Sequence, residues 1–155
     1  MPVFVRKINK PAIFGIYFGM KTDKKTDKKT LNVHFIGVGG VSMSSLARYL
    51  LSVGFTVSGS DIAPGENLEK LAEEGVTIYI GQSAENVEGK DVVVYSDAIK
   101  EENPELKRAV ENKSYVLKRA ELLKIVSENF SAGIFGQCDN FFVDSSDFVQ
   151  KVIFR

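Results

Sequence analysis

Six residues, Gly37-Val38-Gly39-Gly40-Val41-Ser42, have the types and spacing of a turn that can close around an anion. Gly37 permits the tight turn and Gly39 lets backbone approach a ligand. The small Ser42 stands where the third glycine of a GxGxxG sequence allows close helix packing. If a helix opens here, its first N–H groups point outward and its dipole favours a diphosphate. Ser42, Ser44 and Ser45 add hydroxyl donors, whereas Met43 reads as a packing residue near enough to touch a ligand. A glycine-rich turn can also be merely tight. Its placement between a strand and a helix is what points to phosphate.

Other candidate groups gather around this turn. Asp61 lies 21 residues after Gly40, where an acidic residue can accept hydrogen bonds from ribose hydroxyls, or else cap the turn before Pro64-Gly65. Ser96, Asp97, Ala98 and Ile99 follow an apolar run and would reach the same edge of a sheet. Arg119 would reach it too and could neutralise a phosphate. Each of these is also open to a reading as ordinary loop polarity. His34 reads as a packed core residue rather than a base. No residue stands out as catalytic, and a single histidine with a single cysteine, Cys138, leaves no His/Cys cluster for zinc.

The elements that must position these groups are legible from periodicity. LNVHFIGV reads as a buried strand, VSMSSLARYLLSVG as a helix stopped by Gly54, and FTVSGSD as a second strand. Glu66 to Glu74 is an amphipathic helix closed by Gly75, and VTIYIG is a third strand. DVVVYSDAI is a fourth, apolar enough to be covered on both faces. Pro104 suits the first turn of a helix containing Leu106, Ala109 and Val110. SYVLKR is a fifth strand, RAELLKIVSENF a helix, and SAGIFG the start of a possible sixth strand. Strands alternating with helices at this spacing give an α/β, Rossmann-like open parallel sheet of five or six strands with helices on both faces.

Composition narrows the function classes. The chain has 155 residues, enough for one ordinary domain, and 20 Lys/Arg balance 20 Asp/Glu. Without a global basic field there is no argument for nucleic acid. The balance is a cancellation: residues 1–30 carry eight basic and two acidic residues, the remainder twelve and eighteen. Nine of the eleven Phe lie before residue 31 or after residue 129. No apolar run approaches the roughly 18 residues needed to cross a membrane. The start, MPVFVRKINKPAIFGIYFGM, only loosely resembles a signal peptide, and no cleavage site follows it. Residues 1–30 are therefore expected to be a disordered basic leader or misassigned upstream sequence, with Met20 an alternative start. One cysteine fits a reducing compartment, so the expected location is the cytoplasm.

From the residues alone the function stays open between classes, an NAD(P)-binding oxidoreductase domain using the same loop and Asp61 and a non-catalytic nucleotide-binding module among them. A resemblance weighs between them. HFIGVGGVSMSSLARYL, VSGSD, EKLAEEGVTIYIGQSAENVEGKDVVVYSDAIKEENPEL and VLKRAELL, in that order, resemble the N-terminal domain of the Mur ligase family of peptidoglycan synthesis. The GxGGxxMSxLA loop points to the branch that joins the first amino acid to UDP-N-acetylmuramate. The likeness covers about residues 31–135. It implies that this domain binds the UDP part of UDP-N-acetylmuramate. Gly37, Val38, Gly39, Gly40, Val41, Ser42, Met43 and Ser44 would hold the diphosphate, Asp61 would lie near the uridine, Ser96–Ile99 would close nearby, and Arg119 would stand at the same edge.

Departures from the family pattern set further expectations. Relatives usually read Ser-Ser-Ala or Ser-Thr-Ala where this chain has Ser96-Asp97-Ala98, and an inward carboxylate at Asp97 would repel a diphosphate. Many carry His where Gln82 stands. The family uses ATP and Mg, held by a Gly-Thr-His-Gly-Lys-Thr-Thr loop after the sixth strand. Here SAGIFG leads into QCDNFFVDSSDFVQKVIFR, and no Gly-Lys-Thr or Gly-Lys-Ser occurs. Without that lysine nothing cradles the β- and γ-phosphates in the family's manner. Residues 136–155 are thus expected to be a tail foreign to the family, and the chain a truncated or frame-disrupted ligase. It would bind substrate, hold no cofactor of its own and be inactive alone, unless a separate chain supplied the remaining ligase domains.

Overall fold

The computed structural model describes residues 31–131. The expected basic leader, the foreign tail and all of the possible sixth strand but its first residue, Ser131, lie outside that range. Residues through Leu122 form one compact unit, and Leu123–Ser131 is assigned to another.

Five strands alternate with helices in the order the periodicity predicts. They are β1 (Asn32–Ile36), β2 (Thr56–Asp61), β3 (Thr77–Ile80), β4 (Val92–Tyr95) and β5 (Tyr115–Lys118). Helix α1 (Val41–Ser52) follows β1, α2 (Glu66–Glu74) follows β2, and a 3-10 turn (Ala84–Val87) follows β3. Helix α3 (Pro104–Glu111) joins β4 to β5, and α4 (Arg119–Ser131) leaves β5 without a gap. Ser131, expected to open a sixth strand, instead ends α4. Helix α3 starts where sequence chemistry says it must. The Asn103 side chain accepts from the amides of Glu105 and Leu106, and Pro104 fills the first position, where no N–H is needed.

The sheet is entirely parallel, with strand order β3-β2-β1-β4-β5. Alternation along β1 sorts its side chains between two faces. Val33 and Phe35 share one face with Val57, Val92 and Val94, all of them buried, and α1 contributes Met43, Leu46, Ala47 and Leu50 to the buried core. Ile36 shares the other face with Val93, packed with Val87 of the 3-10 turn and with Leu106 and Ala109 of α3. Val110 of α3 is exposed.

The strand order fixes where a ligand can enter. The chain moves outward from β1 through β2 to β3, then returns to the far side of β1 to form β4. The loops after β1 and β4 therefore diverge and leave a crevice at the carboxyl edge of the sheet, where ligands of open α/β sheets bind.

Candidate functional site

The glycine-rich turn leaves β1 into that crevice. Gly37 has φ +78°, a backbone conformation that side-chain-bearing residues rarely adopt. Three successive amides are anchored to the end of β2. The Ser60 carbonyl accepts from Gly37 N–H at 2.8 Å and from Val38 N–H at 3.0 Å, and the Asp61 carboxylate accepts from Gly39 N–H at 2.8 Å. The last contact explains the second glycine: a Cβ at residue 39 would stand 2.6 Å from Asp61 Oδ2. The Gly39 carbonyl is held as well, by Asn67 Nδ2 at 2.9 Å. Val38 turns its side chain into the core against Gly59, so it can offer a ligand only backbone.

Beyond Gly39 the helix opens. Gly40 is its N-cap and has no side chain to accept from the first turn. The N–H groups of Val41, Ser42 and Met43 therefore have no acceptor within the helix, the arrangement that attracts an anion. The hydroxyls divide differently from the sequence expectation. Ser44 and Ser45 both donate back to the Val41 carbonyl, at 3.0 and 2.8 Å, as serines inside helices commonly do. Ser44 and Met43 are also buried, which leaves Ser42 as the hydroxyl facing the crevice. Ser42 is half-buried, and its Oγ accepts from Arg119 Nη1 at 3.0 Å. Arg119, 77 residues away in sequence, is thus brought to the mouth of the loop.

The other expected groups are placed with varying intimacy. Ile99 lies over the turn, its Cδ1 3.7 Å from where a Gly37 Cβ would be, and its amide donates to the Ser96 carbonyl. Ala98 and Asp97 are exposed. Asp97 pairs with Lys118 Nζ at 3.1 Å, and this hydrogen bond raises the lysine above its ordinary pKa. Asp61 is a loop anchor first: Oδ2 accepts from Gly39, and Oδ1 from the Ile62 amide. Beside it is an open cleft of about 360 Å³ lined by Gly39, Gly40, Asp61, Pro64, Asn67 and Leu68. That volume is within the range of small-molecule sites.

Sequence reasoning missed two layers of support. Asn67 is one; Arg48, which donates to Asn67 Oδ1 at 3.3 Å and pairs with Glu74 at 2.7 Å, belongs with it. The second is a buried polar cluster beneath the site. His34 is fully buried as expected, but its ring meets Ser58 Oγ at 2.9 Å and stands 3.4 Å from Glu105 Oε1. Among the described residues, no three His, Cys, Asp or Glu side chains come together as metal ligands. No described helix is long and apolar enough to cross a membrane.

Comparison with known proteins agrees with this geometry. Residues 32–131 match the model of the "Mur ligase family, catalytic domain". The chain is 48% identical over 91 residues to a UDP-N-acetylmuramate–L-alanine ligase of Rhodopseudomonas palustris, covering 59% of this chain and 20% of that protein. It is 53% identical over 91 residues, with the same coverage, to the ligase of that name from Clostridium perfringens. Among solved structures it resembles the UDP-N-acetylmuramate-alanine ligase MurC of Thermotoga maritima, with TM-score 0.59 and 31% identity over 65% of this chain and 23% of that one. A murein peptide ligase of Psychrobacter arcticus follows, with TM-score 0.55 and 28% identity over 63% of this chain and 20% of that one. The chain spans about a fifth of the length of the curated relatives it matches.

Proposed function

The chain belongs to the Mur ligase family, and on that footing we propose that residues 31–131 bind the UDP moiety of UDP-N-acetylmuramate for peptidoglycan synthesis. The first-turn amides of Val41, Ser42 and Met43 take the diphosphate, with Ser42 Oγ and the Arg119 guanidinium beside them. The nucleoside occupies the cleft between Asp61 and Asn67. The observation that carries this reading is the Arg119–Ser42 hydrogen bond, which sets a permanent cation against an uncapped helix N-terminus at the crevice. Asp97, paired with Lys118 and exposed, adds no unpaired carboxylate to the diphosphate site.

In this reading the domain binds and orients substrate, and the described residues perform no bond-making step. ATP and Mg do not fit the described residues. The sequence holds no Gly-Lys-Thr or Gly-Lys-Ser, and the described residues hold no carboxylate cluster for a metal.

Calorimetry of the full chain tests the reading. UDP-N-acetylmuramate and UDP should both bind, and NAD should not. Absence of heat with either uridine nucleotide at about millimolar concentration, where roughly −4 kcal/mol of binding would register, overturns it. Binding of NAD alone would move the site to the oxidoreductase class.

A further inference from the structure

Beneath the glycine-rich turn, on the sheet face opposite α1, lies a carboxylate with no exposure at all. Glu105 enters from the first turn of α3 and is surrounded by donors. Ser60 Oγ donates to its Oε2 at 2.7 Å, and Asn86 Nδ2 to its Oε1 at 2.7 Å. His34 Nε2 stands 3.4 Å from Oε1. A ring nitrogen facing an ionised carboxylate must carry a hydrogen, so the opposite nitrogen, Nδ1, meets Ser58 Oγ either as acceptor in the neutral ring or as donor in the imidazolium. Burying a carboxylate is costly, and well-packed apolar residues usually serve stability at least as well. The other sheet face does so, with Val33, Phe35 and Val57 at the neighbouring positions.

What distinguishes this carboxylate is the residue it grips. Ser60 donates its hydroxyl to Glu105, while its carbonyl accepts both the Gly37 and Val38 amides. The adjacent Asp61 takes the Gly39 amide. The end of β2 thus templates the loop through three consecutive N–H groups, and Glu105 fixes that end from below. We propose that Glu105 is a positioning residue for the glycine-rich loop, holding Ser60 so that the loop amides beyond Gly39 stay aimed at the crevice. Only the ligand-binding consequence rests on the UDP reading; the coupling between Glu105 and the loop does not.

The test uses amide hydrogen exchange by NMR on the full chain, together with UDP titration, for Ser60→Ala, Glu105→Gln and the double variant. Ser60→Ala, which removes the link outright, should speed exchange at Gly37 and Val38 by about tenfold, the equivalent of one hydrogen bond, and Glu105→Gln, whose amide oxygen can still accept from Ser60, by less, while Val94 in the sheet centre stays unchanged. UDP affinity should fall by about the same factor. The double variant should be no worse than the worse single, because both changes cut one chain of contacts. Unchanged exchange at Gly37 and Val38 overturns the proposal. So does equal acceleration at Val94, which would mean general loosening, or effects that multiply in the double variant. If Glu105→Gln does not fold, Ser60→Ala alone decides, since it deletes a hydroxyl and leaves the carbonyl in place. If the parent chain does not bind UDP, the functional reading fails while exchange still decides the coupling.

Discussion

At the scale of single residues, the site depends on how closely backbone approaches a carboxylate. Gly39 and Asp61 are 22 positions apart, yet the Gly39 amide lies 2.8 Å from Asp61 Oδ2. A methyl group there would fall 2.6 Å from the same oxygen, with the Asp61 carboxyl carbon at 3.2 Å and Leu68 Cδ2 at 3.5 Å. Neither the anchor nor the first turn of the loop can accommodate that without shifting. Gly39→Ala should therefore destabilise the fold by about 1–3 kcal/mol, the usual range for overpacking, and should abolish measurable UDP binding. Urea unfolding with parallel calorimetry checks both. A variant of unchanged stability and affinity would mean that the Asp61 contact does not shape the loop.

At the scale of elements, the question is how helix and strand ends bring distant residues together. Arg119 is the first residue of α4 and follows β5 directly, so the register of β5 beside β4 sets its position at the carboxyl edge. Its guanidinium is exposed apart from the contact with Ser42, so Arg119→Ala should leave the unfolding midpoint nearly unchanged. A charge-assisted phosphate contact contributes about 1.5–3 kcal/mol, so UDP affinity should fall roughly tenfold to a hundredfold. Uridine, which lacks phosphate, should bind the variant and the parent alike, and equal losses for both ligands would remove Arg119 from the diphosphate site. Element ends also explain what could be read in advance. Strand and helix types followed from local patterns: the apolar DVVVY run, Gly75 at the end of α2 and Pro104 at the start of α3 were each sufficient. The glycine turn was legible because its chemistry lies within six adjacent residues. Asn67, Ser60 and Glu105 were not. Each looks ordinary in its own element, a polar helix residue, a strand serine and a first-turn acid, and gains its role from a partner 28, 23 or 45 positions away. The Ser44 and Ser45 hydroxyls turn inward for the converse reason, since a hydroxyl within a helix has its own carbonyl three or four residues back as nearest acceptor.

At the scale of the whole unit that ends at Leu122, Glu105 ties several elements together through one side chain. Its carboxylate meets β1 through His34, β2 through Ser60 and the 3-10 turn through Asn86, while its own backbone amide is capped by Asn103. The protonation of one side chain is thereby tied to the stability of the unit. Burial alone would push the Glu105 carboxyl up, but the adjoining His34 ring and the hydrogen bonds from Ser60 and Asn86 outweigh it and hold the carboxyl below its ordinary value of 4.5. Between those two values the unfolded chain binds the proton and the folded one does not. The stabilisation from Glu105 is therefore complete above the unfolded value and is lost as pH falls through the folded value beneath it. Urea midpoints measured from pH 7 down to about pH 3 should show an acid-limb loss that shrinks in Glu105→Gln, whose amide cannot titrate. Gly37 and Val38 amides should lose protection over that same range, after correction for the intrinsic pH dependence of exchange and ahead of Val94, because the carbonyl that holds them belongs to the serine whose hydrogen bond to Glu105 weakens when the carboxylate loses its charge. An acid limb identical in parent and Glu105→Gln would show that the buried carboxylate does not govern this transition.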